Sequence, residues 1–308
     1  MCSSLLISKA EDSREFIGQD KFKTPRGEAR RHARKVTSRA KALSRQLEAW
    51  MKKEARKRVK EMVAEIKRGK LKPVLRKTKV EKAEAFDDKQ LLAILERHGI
   101  KQINDTGREF AQTKWALSPS AEAAYLKTKR VQVQRIRRDM RDQMQLSVGK
   151  ALGAWLEEDP QPSTGEIARR LREWLTVTDV ARSPAALQPL GRAFTSHGIG
   201  ARARMIARTE INQARNFSRI ETGKITGKEF KMWLAFTDGK SGDRHHEALN
   251  NVAVPMNDLF INPITGASLM YPSDPNADSP FGVPGEIINC RCSVRMVTQR
   301  QAEELGAL

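Results

Sequence analysis

Cysteine, histidine and aromatic residues are sparse in this chain of 308 residues. Three cysteines, two of them one residue apart at Cys290 and Cys292, do not make a disulfide framework. A bridge across Cys-x-Cys would be strained, so reduced thiols are expected. The five histidines are His32, His98, His197, His245 and His246, with none downstream of 246. Aromatics make up 6% of the chain, too few interleaved rings to argue for base stacking. No apolar run approaches the ~20 residues of a membrane span. Leu5-Leu6-Ile7 is too short for a secretory leader and has no basic region before it. Nothing matches a phosphate-binding glycine loop.

What is present is charge, and it is unevenly placed. Residues 1–80 hold 25 Lys and Arg against 9 Asp and Glu, a net +16. Residues 81–150 carry +4, residues 151–230 carry +3, and residues 231–308 carry −3. A basic arm thus precedes a nearly neutral body. Such an arm is either a solvated helix or a contact for a polyanion, most simply nucleic-acid phosphates. The length allows about two domains. Trp155, Trp174, Trp233 and Phe236 all lie in the second half, so the better core is expected there.

Helical spacing dominates the first two thirds. From about residue 27 to 69, Val36, Ala40, Leu43, Leu47, Trp50, Val59, Val63 and Ile66 form a narrow apolar stripe. Gly69 and Pro73 close it, and a linker follows over 71–80. Two short helices are expected over 87–98 and 101–114, separated at Gly99. Ser118-Pro119 is a start signal for a helix to about residue 157, with Val131, Val133, Ile136, Met140, Met144, Val148, Leu152 and Trp155 on its apolar side. Ser163 and Glu166 have capping-box spacing ahead of a helix to Leu175. Another helix is expected from about 199 to 222. After about residue 228 the pattern changes to short strands and turns, with a short polar helix near the end. The expected fold is therefore mainly α, with long helices in the N-terminal two thirds and a small C-terminal α+β domain.

The chemistry-bearing residues fall late. Lys231-Met-Trp233-Leu-Ala-Phe236 suits a buried strand, and a polar loop then carries Asp238, Asp243, Arg244, His245 and His246. The segment ends on Asn289-Cys-Arg-Cys292. Upstream stands Ala207-Arg-Thr-Glu-Ile-Asn-Gln-Ala-Arg-Asn216. In this order, with Leu249, Asp258 and Phe260 between, the chain resembles the Mu F-like minor head proteins of tailed bacteriophages over roughly residues 130–296. The resemblance implies a non-enzymatic head morphogenesis protein. It would associate with the portal protein and procapsid components, assemble in the bacterial host cytoplasm, and reside inside the capsid of the virion. The basic arm adds sequence-independent contact with double-stranded DNA, and an acidic protein surface is the other partner that its charge allows. The division that follows is a basic, partly disordered or helical arm (1–80), a helical domain (81–198), a Mu F-like domain (199–296) and a tail (297–308).

Two readings compete for the late cluster. His245, His246, Cys290 and Cys292 are donors suited to a structural zinc, with Asp238 or Asp243 as an oxygen ligand. Alternatively, they form a reduced cysteine pair in a loop-rich core with one histidine bonded to it. Arg208, Glu210, Trp233, Asp238, Asp243 and Asn289 are expected to be structural. Arg208 and Glu210 would clamp their helix to the 231–238 strand and the Cys-x-Cys loop. Trp233, Asp238, His245, Cys290 and Cys292 are expected to converge. A metal-dependent nuclease of His-Asn-His-like type is the alternative function. It is disfavoured by the lack of any histidine after 246 to serve as the last ligand.

Overall fold

The computed structural model describes residues 25–68, 88–111, 115–156, 198–236, 245–280 and 283–308, with a few positions between 158 and 170. The four long helices are α1 (Pro25–Lys67), α2 (Asp88–Ala111), α3 (Pro119–Leu156) and α4 (Gly198–Ile225). Beyond them come β1 (Phe230–Leu234), a 3-10 turn (His246–Leu249), β2 (Ala253–Pro255), β3 (Phe260–Ile261) and β4 (Ser268–Leu269). The chain ends with α5 (Val283–Ile287), β5 (Ser293–Val297) and α6 (Gln299–Glu304). The fold is thus helical in its N-terminal part, with a few short antiparallel strands at the C-terminal end.

α4 is the axis. Its Ala203, Ala207 and Ile211 are buried against Val36, Ala40, Leu43, Leu47 and Trp50 of α1, with Leu91 and Leu95 of α2 closing the cluster. Small residues on α4 let α1 lie close, and the large apolar side chains of α1 fill the seam. Each such fully buried Leu or Val contributes roughly 1.5–3 kcal/mol. The described part of the basic arm is therefore core on one side and cationic on the other. Val63 is partly buried in the same cluster, while the side chains of Val59 and Ile66 lie outside the described set.

The expected break at Gly99 does not occur, because α2 runs through it. A Cβ there would sit 2.2 Å from the Tyr125 hydroxyl, and one at Gly107 would sit 2.1 Å from the Trp115 ring. Both glycines exist for close approach of rings from α3 and its lead-in, not for helix termination. Ser118 caps α3 as expected: its hydroxyl accepts from the Ala121 amide at 3.2 Å and its carbonyl from the Glu122 amide at 2.9 Å. Val131, placed on the apolar side of α3 from the sequence, is exposed, whereas Val133 is buried. Met140, Met144, Val148 and Leu152 fall outside the described side chains. Trp50 and Trp115 in the first half are as buried as Trp155 and Trp233, so the core is not concentrated in the second half. The 163–175 helix is described only at its start, where the Ser163 hydroxyl accepts from the Glu166 amide at 3.2 Å.

β1 is the centre of an antiparallel sheet ordered β2-β1-β5, with Trp233 opposite Val294 and Lys231 opposite Met296. Strand alternation gives β1 two buried faces. Met232 and Leu234 meet Ala29 of α1, Val297 and Ala302 of α6. Lys231 and Trp233 face the loop-rich segment, where Trp233 joins Phe260, Leu249 and Cys292. α6 starts with a full capping box at Thr298 and Gln301. The Ala253 amide donates to the Ala307 carbonyl at 2.9 Å, so the last residues are bound to the sheet.

Candidate functional site

The Cys-x-Cys loop takes its shape from one residue. Asn289 has a left-handed backbone (φ 61°), a region in which Asn is among the tolerated side chains. Its side-chain oxygen accepts from Arg208 at 2.6 Å, and its amide donates to the Thr209 hydroxyl at 2.8 Å. α4 therefore holds the turn at two points. The extended backbone that follows alternates its side chains. Cys290 and Cys292 turn inward and are buried, and Arg291 turns outward over the Phe236 ring at 4.5 Å.

His246 meets the two sulfurs from the other side. Its Nδ1 lies 3.6 Å from the Cys290 sulfur and 3.8 Å from that of Cys292. Its Nε2 lies 2.9 Å from a Glu286 carboxylate oxygen. The ring packs edge-on to Trp233, centroid to centroid 5.1 Å, and Trp233 packs edge-on to Phe260 at 5.1 Å. Burial opposes charge on His246, yet the Cys290 and Glu286 anions outweigh it and push its pKa up to about 9. A hydrogen bond from Cys292 draws the Cys290 thiol well below its ordinary value, and His246 adds to this against the opposing effect of burial. Cys292 moves well above, because it donates to Cys290 and is itself buried. Burial also opposes charge on Glu286, but His246, Thr265 and Ser279 keep its pKa below the usual carboxylate value.

His246, Cys290 and Cys292 form a buried group whose donor atoms lie within 4.8 Å of one another. One imidazole nitrogen and two sulfurs suit Zn²⁺, and the Glu286 carboxylate on the far nitrogen orients the ring as carboxylates do behind metal-bound histidines. His245 is not in the group. As the residue before a tight 3-10 turn it has φ 51°, and its side chain is half-exposed with Nδ1 3.4 Å from Glu247. Two successive residues at such a turn do not both point inward, and His246 is the one that does. Asp238 and Asp243 lie outside the described residues.

The second half of the site is α4 itself. Asn216 is fully buried: its amide group donates to the carbonyls of Pro272 (3.1 Å) and Cys292 (3.2 Å), and its oxygen accepts from the Val294 amide (3.1 Å). Asn212 donates to Ser273 at 2.9 Å and accepts from His32 Nε2 of α1 at 2.6 Å. Arg219 donates to the Val294 carbonyl at 2.7 Å and reaches Glu28 of α1 at 3.3 Å. Glu210 does not face the strand or the Cys-x-Cys loop. It pairs with the fully buried Lys129 of α3, which also donates to Gln132 and Gln213. A carboxylate at 210 on a helix with Arg208 points roughly 200° away from it, so the two cannot clamp the same neighbour.

Sequence reasoning missed Glu286, His32, Lys129, Asn212 and Asn216. For the α4 residues a signal existed. Thr209, Asn212, Asn216 and Arg219 recur at intervals of three and four, the period of an apolar stripe, but with polar side chains. For Glu286 and Lys129 no local pattern marks the role.

Fold and site together define a helical protein with a small antiparallel unit, whose most distinctive polar residues are engaged in holding backbone turns. Residues 164–295, a little under half of the chain, match the family described as Phage Mu protein F like protein. No curated protein and no solved structure matches the chain. No helix among the described residues is long and apolar enough to cross a membrane.

Proposed function

We propose that this chain is a structural, non-enzymatic minor head protein. It joins the portal and procapsid components during assembly in the host cytoplasm, then remains inside the capsid and contacts packaged double-stranded DNA without reading its sequence. The observation that supports a structural role most directly is the use made of the Mu F-like residues. Arg208, Thr209, Asn212, Asn216 and Arg219 each bond a turn or strand of the C-terminal unit, and Asn289 takes part in two of those bonds, accepting from Arg208 and donating to Thr209. Residues spent in this way position backbone, which supports a structural role. The helix over 25–67 and the short α6 work with the Mu F-like segment as one unit, since Ala29 and Ala302 share an apolar cluster with β1.

Within that unit, His246, Cys290 and Cys292 would hold three positions of a closed structural zinc, with Trp233 packed beside them. Asp238 and Asp243 are the candidates that the sequence offers for the fourth ligand. The metal would supply cross-linking of loops, not a bound water. In an assembly test, heads formed with a tagged copy of this chain should retain it together with portal. Heads formed without portal should lack it. Absence from portal-containing heads, or cutting of plasmid DNA by the purified chain with Mg²⁺ or Mn²⁺ that is lost in His246→Ala, would refute the reading. Replacing both Cys290 and Cys292 by Ser should lower the melting temperature and release zinc if the chain is purified with it, while Cys2→Ser should change neither.

A further inference from the structure

The first turns of α1 and the Cys-x-Cys loop enclose a cleft of about 470 Å³. Arg30, Arg34 and Lys41 line it from α1, and Arg291 and Phe236 line it from the opposite wall. Four cations share this cleft, and among the described residues no carboxylate lines it. Arg291 also acts electrostatically on Arg208, whose pKa is lowered by burial and then by Arg291 and Arg204. Like charges gathered along one cleft give it a positive potential that attracts anions. The inward turn of Cys290 and Cys292 is what places Arg291 on this wall.

The cleft opens onto a longer surface. Arg30, Arg34, Lys41, Arg45, Arg56 and Lys60 are all exposed on α1, at spacings close to whole turns. At 1.5 Å rise per residue they span roughly 45 Å. Among the described side chains, no Asp or Glu of α1 is exposed: Glu28 and Glu54 are buried, and Glu48, Glu61 and Glu65 are partly buried. Most of the charge excess of the first 80 residues belongs to this helix and none of it to what precedes it. Residues 1–24 hold four Lys and Arg against four Asp and Glu, whereas residues 25–68 hold sixteen against five.

We propose that this cleft and the cationic side of α1 form one phosphate-binding track for double-stranded nucleic acid, entered at Arg30, Arg34, Lys41 and Arg291. The proposal rests on the reading of DNA contact above and gives that contact a place. A duplex presents a charge every ~1.7 Å of its axis, so a long, evenly cationic helix meets phosphates at any register. The one ring in the cleft, Phe236, has the Arg291 guanidinium over it, so it is no platform for an unstacked base. An acidic peptide would need apolar contacts repeated along the track, and beyond the cleft the exposed residues of α1, among the described side chains, are Lys, Arg, Gln and Ala.

The test uses the full chain and a labelled duplex of mixed sequence, with affinity measured from low to moderate salt. The cleft variant is Arg30→Gln/Arg34→Gln/Lys41→Gln, all exposed helix positions where Gln keeps the helix. The control is Lys127→Gln/Arg130→Gln/Arg138→Gln on the exposed side of α3, with the same change in net charge. The cleft variant should bind at least about tenfold more weakly, with a log K against log salt slope shallower by about 2.7, corresponding to three lost phosphate contacts. The control should keep the wild-type slope. Equal losses in both variants would overturn the site while leaving DNA contact standing. No duplex binding by the wild-type chain at low salt would overturn both. Binding of poly-glutamate in preference to duplex, lost in the cleft variant, would assign the cleft to an acidic protein and overturn the proposal.

Discussion

The α1–α4 seam and the 245–297 unit are both buried, but they are held differently. The seam is filled by repeated apolar side chains, Val36, Leu43, Leu47 and Trp50 against Ala203, Ala207 and Ile211. The C-terminal unit buries Trp233 and Phe260, yet its turns are fixed one at a time by Asn212, Asn216, Arg208, Arg219, Glu286 and the His246–sulfur group. Helices satisfy their own backbone, so a helical seam needs only volume. Short strands and turns leave amides and carbonyls to be paired, and each unpaired buried group costs about 1–3 kcal/mol. The tolerance of the two regions to substitution should differ accordingly.

The largest expected contrast is at Asn216. Asn216→Leu keeps the branched heavy-atom shape but strands two carbonyls and one amide, so a loss of roughly 3–6 kcal/mol is expected from three such groups. Denaturant unfolding of the two proteins would measure it, and a loss below about 1 kcal/mol would show that the polar ladder of α4 is dispensable. Next is the buried pair that joins α3 to α4. Glu210→Ala should cost about 3–5 kcal/mol by leaving Lys129 charged and unpaired. The double change Lys129→Met/Glu210→Leu should recover much of that, and full additivity in the double-mutant cycle would rule out the pair as a coupled unit.

The two buried histidines sharpen the comparison through pH. In the helical region, burial, then the Arg219 and Arg215 charges, hold the His32 pKa well below its usual value. The unfolded chain takes up that proton near pH 6.5 and the folded chain does not, so the His32 contribution falls as pH drops below about 6.5, by at most about 1.4 kcal/mol per pH unit. In the loop-rich region His246 has the opposite sign. Its folded pKa of about 9 means that its contribution in the metal-free protein is fully present below about 6.5 and is lost as pH rises through 9. Stability against pH in His32→Gln should therefore be flatter on the acid side, and in His246→Gln flatter between about 6.5 and 9. An unchanged acid limb in His32→Gln would contradict its buried neutral state. The smallest effect is expected in the seam itself, where Leu47→Met should cost under about 1.5 kcal/mol. A larger loss, measured by the same unfolding curves, would mean that the seam is as exacting as the turns.

The sequence by itself determined the helices, the position of the strands after residue 228 and the late cluster of Trp, His and Cys. Apolar periodicity and capping are local properties, and Val36 to Trp50 or Ser118-Pro119 can be read without knowing their neighbours. The order of motifs from Ala207 to Cys292 was enough to indicate the resemblance to Mu F-like proteins that the match over residues 164–295 bears out. Tertiary structure alone decided which of two adjacent histidines faces the sulfurs, because that depends on the handedness of one backbone residue. It also decided that Gly99 admits a ring instead of ending a helix, that Glu210 meets Lys129, and that Glu286 stands behind His246. These partners are separated by tens of residues, and a side chain far away in the chain leaves no periodic trace. The basic charge of the first 80 residues was plain in the composition. That its share over residues 25–67 lies on the outer side of a core helix, facing Arg291, follows only from how α1 packs on α4, since burying one side of a helix fixes where the other side points.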